Sequence, residues 1–393
     1  MTNLTSTPGR GHSAAEMRAK AAAGTLGDVS KWDLETPALC VDLDLFEQNI
    51  AAMETRLAAM GVKGRPHAKS HKCPAIAARQ LAAGSIGICA AKVSEAEVLW
   101  ANGIAPILMT TSNVTANKIR RAMAIRKANP QFIQAVDLPQ NARDLDAAAR
   151  EAGIVADVVV DVAIGGRSGV PPGDQALALG QLVDTLPNLT LRGIISYDGR
   201  QHIKGFQQRL ELTLQRFEPS LRTFEQFARA GLDTGIFSGG GTGTYNILPR
   251  ASASITDVQA GSYVFMDCQY LEIGGESNDA VYDDFASSLT VLTTVLNTYF
   301  EKSITTDAGS KALTLNTPGP WVIGEPDFAY NPSSDEFGII TYEKAERLYA
   351  VGDTLELIPS HCDPVVNQYD QIYAIRQDRV EAIWPIAARG PSE

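Results

Sequence analysis

Five histidines occur in 393 residues, and apart from His12 in a polar lead each stands beside other reactive side chains. The densest group is Arg65-Pro-His-Ala-Lys-Ser-His-Lys72. On an extended segment, alternation puts Arg65, His67 and Lys69 on one face. A lysine crowded by Arg65 and His71 would lose its proton more easily and could act as an amine nucleophile. The competing reading is a solvated basic loop. A second group, Ser238-Gly-Gly-Gly-Thr-Gly-Thr-Tyr245, lets backbone N–H groups approach an anion. It is no Walker loop, because no Lys-Ser/Thr follows; a flexible turn is the plain alternative. An amine and a phosphate cradle together suggest pyridoxal 5′-phosphate.

Two smaller groups complete the set. In His361-Cys-Asp-Pro364, imidazole and carboxylate stand two residues apart and on an extended segment could share one cation. A hard oxygen ligand suits Mg²⁺ or Mn²⁺, and Zn²⁺ also fits; an ordinary surface loop is the alternative. Arg167 lies in Gly165-Gly-Arg-Ser-Gly169, and Tyr197, Arg200 and His202 lie further on. Arg167 could hold a cofactor's phenolate oxygen, and Tyr197 or His202 could move a proton. Packing or a salt bridge is the bland reading of Arg167 and Tyr197.

These residues need a frame that brings them together, and the pattern supplies one. After an Ala-rich helix near residues 13–23 closed by Gly24, strands alternate with helical stretches. The expected strands are Ala38–Leu43, Gly64–Lys69, Gly87–Ala91, Ala105–Thr110, Phe132–Asp137, Ala156–Val162, Leu191–Tyr197 and Gly235–Gly239. Phe46, Ile50, Met53 and Leu57 recur at helical spacing behind an Asp44 cap, and Ser94 with Glu97 reads as a capping box. Eight strands over such a span match a (β/α)8 TIM-type barrel, which takes about 250 residues. An open doubly wound sheet would carry a glycine fingerprint after its first strand, where the sequence reads VDLDLFEQN. The chemical groups fall at the C-terminal ends of the strands, where barrel enzymes work. Past residue 275 short β runs follow one another, ending in a hairpin turned at Gln377–Asp378. The expected division is a lead and short helix over 1–33, a barrel over 34–274 and a smaller C-terminal β domain over 275–393 that carries the metal pair.

Composition narrows the class. Hydrophobic residues make up 45% and the net charge is −11, so the chain is globular and has no long-range attraction for nucleic acid or anionic membranes. No run approaches the roughly 20 apolar residues of a membrane helix, and the N-terminus lacks a secretory core. Five scattered cysteines without CxxC spacing fit a reducing cytoplasm.

Taken together, TPALCVDLD, RPHAKSHKCP, KVSEAE, SGGGTGTY, GSYVFMD, TDAG, PSHCDP and VEAIWPIAARG make the chain resemble a known family. It is similar to the metal-activated, pyridoxal-phosphate-dependent D-threonine aldolases and 3-hydroxy-D-aspartate aldolases, which have an alanine-racemase-like barrel. The resemblance implies that Lys69 carries the cofactor as a Schiff base and that Ser238, Gly239, Gly240 and Thr242 hold its phosphate. It implies that Arg167 faces the cofactor ring, that Tyr197 and His202 are active-site residues, and that His361 and Asp363 are metal ligands. It also implies a homodimer and retro-aldol cleavage of a small D-β-hydroxy-α-amino acid to glycine and an aldehyde; for the base, His202 is our first choice. Three departures accompany it. The Tyr197-to-His202 segment is a residue shorter than the family's, Asp335-Glu-Phe-Gly338 replaces a DEHG segment, and Cys362 separates the metal ligands. The rival readings are a D-serine or 3-hydroxyaspartate dehydratase of the same fold, which uses a His-x-Cys zinc site, a racemase, and a non-catalytic pyridoxal-phosphate carrier. Cleavage of hydroxyaspartate would need a further cation, for which Arg200 is the candidate.

Overall fold

A computed structural model describes residues 11–199, 202–331, 334–345 and 347–390. Arg200 and the first ten residues of the polar lead lie outside the described residues. The chain divides into two units, one of Ile50–Tyr263 with Ile273–Ala280, the other of the residues up to Asn49 with Val264–Glu272 and Val281–Arg389. No helix among the described residues is long and apolar enough to cross a membrane.

The first unit is the barrel. Its parallel strands are Lys63–Gly64, Ile88–Ala90, Ile107–Met109, Phe132–Val136, Ala156–Asp161, Leu189–Ser196, Ile236–Gly239 and Asp257–Val258. From the second strand on each pairs with the next, and the last pairs with the first, Lys63 opposite Asp257 and Gly64 opposite Val258. The seam between the first and second strands is carried by Ile86 N–H on the Gly64 carbonyl at 2.9 Å and Cys89 N–H on that of Pro66 at 2.8 Å. Cys89, Leu108, Ala135, Val159, Ile195 and Ile236 make one buried cluster drawn from six different strands. Each branched aliphatic side chain so buried contributes about 1.5–3 kcal/mol. The intervening helices use ordinary starts: Pro74 and Pro139 stand in the first turns of two of them, where a missing N–H costs nothing.

The second unit is built on a nine-stranded, mostly antiparallel sheet. Leu289–Asn297 pairs with Ser303–Thr306, with Thr354–Ile358 and with Ala38–Asp42. The C-terminal hairpin Gln371–Arg376 and Arg379–Pro385 turns at Gln377 and Asp378, both at positive φ, as its sequence led us to expect. Ser13 and Glu16 form a reciprocal capping box on the helix Ala14–Ala23, which Gly24 ends at φ 70°.

Three expectations are corrected. Ala38–Asp42 is not a barrel strand: it lies inside the second sheet, antiparallel to Leu289–Asn297 and parallel to Gln371–Arg376. The barrel's eighth strand is instead the two-residue Asp257–Val258. The helix Leu43–Ala59 does bury Phe46, Ile50, Met53 and Leu57, but Asp42 caps it by accepting the Leu45 N–H at 3.0 Å, while Asp44 pairs with Arg376. Ser94 is already inside the helix Val93–Ala101 and makes no capping box; Glu97 instead binds Arg121 at 2.6 Å.

Candidate active site

A cavity of about 900 Å³ opens at the C-terminal ends of the barrel strands, within the roughly 300–1,000 Å³ range of small-molecule sites. Lys69, Arg167 and Tyr197 all line it, so three residues singled out by type and spacing converge in space. The expected strand Gly64–Lys69 is shorter than its pattern: beyond Lys63–Gly64 the pairing runs on only to His67, with the Arg65 and His67 N–H groups on the Val258 and Ala260 carbonyls at 3.0 and 3.2 Å, and Lys69 sits in a single 3-10 turn, Ala68–Ser70. That turn is capped by His67, whose Nδ1 accepts the Lys69 N–H at 3.3 Å. With Nδ1 an acceptor, the neutral ring carries its proton on Nε2, which stands 3.1 Å from the Thr110 hydroxyl; that hydroxyl in turn donates to the Ala90 carbonyl at 3.2 Å. The backbone of the lysine is thus tied through a buried imidazole to the neighbouring strands.

Arg65 is not a bare cation. Its Nε lies 2.9 Å from Asp257 Oδ1, and both side chains are almost fully buried. Burial works against the guanidinium charge, but the Asp257 carboxylate outweighs it and holds Arg65 protonated more firmly than usual. A cation so neutralised has little field left to strip a proton from a neighbouring lysine. Sequence reasoning missed Asp257, because no motif marks an acid 192 residues from its partner.

The glycine-rich segment is shaped by close approach. A Cβ on Gly239 would sit 2.3 Å from the Ser196 carbonyl oxygen, and Gly240 holds φ at +67°. The Ser238 hydroxyl donates to Asp257 Oδ1 and accepts from Gln259 Nε2 at 2.9 Å, and Thr242 Oγ1 accepts the Tyr263 N–H at 3.1 Å. The Ser238 side chain is therefore committed to the barrel seam, and an anion here would be met chiefly by main-chain N–H groups. Gln259 lines the cavity, linking that seam to the site.

Arg167 projects from an exposed loop with its guanidinium 4.9 Å from the Tyr197 ring centroid, a cation–π pair. The loop's base is pinned by Ala163 N–H to the Val170 carbonyl at 2.9 Å and by Val170 N–H to that of Asp161 at 2.8 Å. Gly169 lies at φ +93°, where a Cβ would meet Ala163 N at 2.7 Å, so the pinch requires glycine. Asp161 lines the cavity and accepts from Ser168 at 3.2 Å. Burial pushes its carboxyl up to about 6; Asp137 adds to this, while Ser168 and Arg167 oppose it. His202 is exposed and is not among the described residues that line the cavity.

In the second unit, His361 and Asp363 are not on one extended segment. His361 precedes a short helix, Cys362–Val366, so Asp363 belongs to that helix's first turn. What the fold brings to His361 is Asp267, whose Oδ2 lies 2.9 Å from His361 Nδ1, with Cys362 close by. Asp267 is buried, His361 and Asp363 are half-buried, and the Cys362 thiol donates to Asp363 Oδ1 at 3.4 Å. Among the described residues the donor atoms that lie within 4.8 Å of one another are those of Asp267, His361 and Cys362, a group without Asp363; by type, imidazole and carboxylate suit Mn²⁺, Mg²⁺ or Zn²⁺. The remaining cysteines are buried; burial pushes the thiols of Cys40, Cys89 and Cys268 up, and that of Cys73 to about 11.

Comparison with known proteins places these features in context. Residues 41–269 match the family described as alanine racemase, N-terminal domain, and residues 288–375 match a putative serine dehydratase domain. A D-threonine aldolase of Arthrobacter sp. is 37% identical, the match covering 91% of this chain and 93% of the relative. A 3-hydroxy-D-aspartate aldolase of Paracoccus denitrificans is 34% identical over the same shares. Among solved structures, a D-threonine aldolase from Filomicrobium marinum superposes with a TM-score of 0.87 at 34% identity, covering 92% of this chain and 97% of that one.

Proposed function

As the chain belongs to the alanine-racemase-like family of D-threonine and 3-hydroxy-D-aspartate aldolases, and is a carbon–carbon lyase, we propose that it cleaves D-β-hydroxy-α-amino acids to glycine and an aldehyde. The observation that carries this reading is the convergence of Lys69, Arg167 and Tyr197 on one cavity at the barrel's C-terminal face. The fold implies pyridoxal phosphate, and the residues fit it: an amine, a facing cation, and a glycine segment too tight to admit a Cβ.

Lys69 is assigned as the cofactor's covalent anchor, with the His67-capped turn holding its backbone still. Ser238, Gly239, Gly240 and Thr242 are assigned to the phosphate, with Ser238 acting through its main chain. Arg167 is assigned to the phenolate oxygen, held over Tyr197. When bound, pyridoxal phosphate supplies the sink that accepts the Cα–Cβ electron pair. The base, assigned to His202, removes the β-hydroxyl proton, with Tyr197 on the cavity wall; a proton returned to Cα completes glycine. His361 and Asp363 are assigned to a divalent cation, Mn²⁺ or Mg²⁺ by donor type, which would supply Lewis acidity toward a hydroxyl.

The dehydratase reading draws on the Cys362 thiol beside His361, in a region matching a putative serine dehydratase domain, and on a D-threo-3-hydroxyaspartate dehydratase of Delftia sp. that is 28% identical over 89% of this chain. A product assay separates the two. The Mn²⁺-supplemented protein is offered D-threonine, D-phenylserine and both D-3-hydroxyaspartate diastereomers. Glycine with the matching aldehyde is the expected result, whereas ammonia with an oxoacid and no glycine would establish the dehydratase.

A further inference from the structure

We propose that Asp267 is a positioning residue that fixes the His361 ring with Nε2 as its cation-binding atom, an inference that rests on the assignment of His361 and Asp363 as a cation pair. Asp267 has no exposed surface, and a carboxylate in that setting is costly unless donors surround it. Three reach it. Tyr270 N–H binds Oδ1 at 3.0 Å, Cys362 N–H binds Oδ2 at 2.9 Å, and His361 Nδ1 stands 2.9 Å from the same Oδ2.

A backbone N–H can only donate, so Oδ2 is already an acceptor, and Nδ1 must be the protonated nitrogen of a neutral ring facing it. The other nitrogen then carries the lone pair. Because Cys362 N–H is the peptide immediately after His361, Oδ2 grips both the ring and its own backbone, which removes the freedom of the ring to flip. Asp267 is itself held rigidly, because it caps the helix Cys268–Leu271 through the Tyr270 N–H. The alternative is that Asp267 is a ligand in its own right, since Asp267, His361 and Cys362 offer donor atoms within 4.8 Å of one another. The shared hydrogen bond argues against it: a cation between Oδ2 and Nδ1 would have to break the contact that orders both.

The test uses the full-length holoprotein with Mn²⁺ as probe for affinity and Zn²⁺ for ring ¹⁵N spectra. Asp267→Asn retains an oxygen for the Tyr270 cap while removing the charge. The expected result is a roughly 10–100-fold weaker Mn²⁺ Kd at unchanged stoichiometry, with cofactor absorbance retained. In the parent, the His361 ring should carry its proton on Nδ1, with Nε2 shifting when Zn²⁺ is added; five histidines make the assignment tractable. Asp267→Asn with parental Mn²⁺ affinity would overturn the proposal, as would a parental ring protonated on Nε2. Loss as complete as in His361→Ala would make Asp267 a ligand and overturn it too. Parental Mn²⁺ affinity in His361→Ala would instead overturn the cation pair itself, a failure told apart because it leaves the parent's tautomer as measured.

Discussion

Replacing Asp257 with asparagine should loosen the barrel at its seam and the cofactor segment with it. Arg65 follows the first barrel strand, Asp257 lies in the last, and their side chains are 6% and 1% exposed at 2.9 Å. Removing one partner of a buried pair strands the other charge at a cost of about 3–5 kcal/mol. Asparagine nearly preserves volume, so no cavity term is added. For a unit of this size each kcal/mol shifts Tm by about 2–4 °C, giving a fall of roughly 6–20 °C. Differential scanning calorimetry of the barrel transition reads the shift. The same carboxylate accepts from Ser238 and from Thr256, the latter at 2.9 Å, so pyridoxal phosphate should also bind more weakly, as followed by absorbance titration. A double replacement, Arg65→Met with Asp257→Leu, should recover much of the lost stability, because apolar substitutes carry no desolvation cost. An Asp257→Asn protein melting within about 2 °C of the parent would refute the reasoning, since a pair that buried cannot be energetically idle.

Lys69→Ala should remove the yellow absorbance of the holoprotein and all turnover, while circular dichroism stays unchanged; a retained visible band would reassign the anchor. Gly239→Ala forces a Cβ to 2.3 Å from the Ser196 carbonyl, and overpacking against backbone should cost at least about 1–3 kcal/mol together with most cofactor affinity, read by urea titration with and without the cofactor. Asp161 titrates near 6 when folded against 3.8 in the open chain, so the folded state binds the extra proton and stability falls as pH rises from about 4 to 6. Asp161→Asn should therefore be more stable than the parent at pH 7, by up to about 3 kcal/mol, with the gain vanishing near pH 4; parallel pH curves for the two proteins would be contrary evidence.

The alternation of strands and helices was readable because periods of 2 and 3.6 are local properties of a chain. Partner choice is not local. Ala38–Asp42 is buried along most of its length and runs straight into an amphipathic helix, which is how a barrel strand looks; only its pairing with Leu289–Asn297 and Gln371–Arg376 says otherwise. Asp257–Val258 is two residues long and has no period to read. The site divides in the same way. Lys69, Arg167 and Tyr197 could be marked because each stands at or just past the end of a stretch that the pattern reads as a strand. Asp257 and Asp267 could not, because their partners lie 192 and 94 residues away and no spacing rule spans such distances. At His361 the error was conformational: the alternation argument assumed extended backbone, and a helix begins at the next residue.

The placement of Ala38–Asp42 has a bearing on how the protein comes into being. This strand is made early, yet its parallel neighbour Gln371–Arg376 leaves the ribosome more than 300 residues later. At about 5–20 residues per second that interval is of the order of 15–60 s, during which an apolar strand has at least one edge unpaired. The antiparallel neighbour, Leu289–Asn297, arrives sooner but still only after the whole barrel segment has been synthesised. The nine-stranded sheet is thus completed late, after the barrel segment has been made. A fragment beginning near residue 275 would lack one of its interior strands, and expressing it alone invites a second chain to fill the slot.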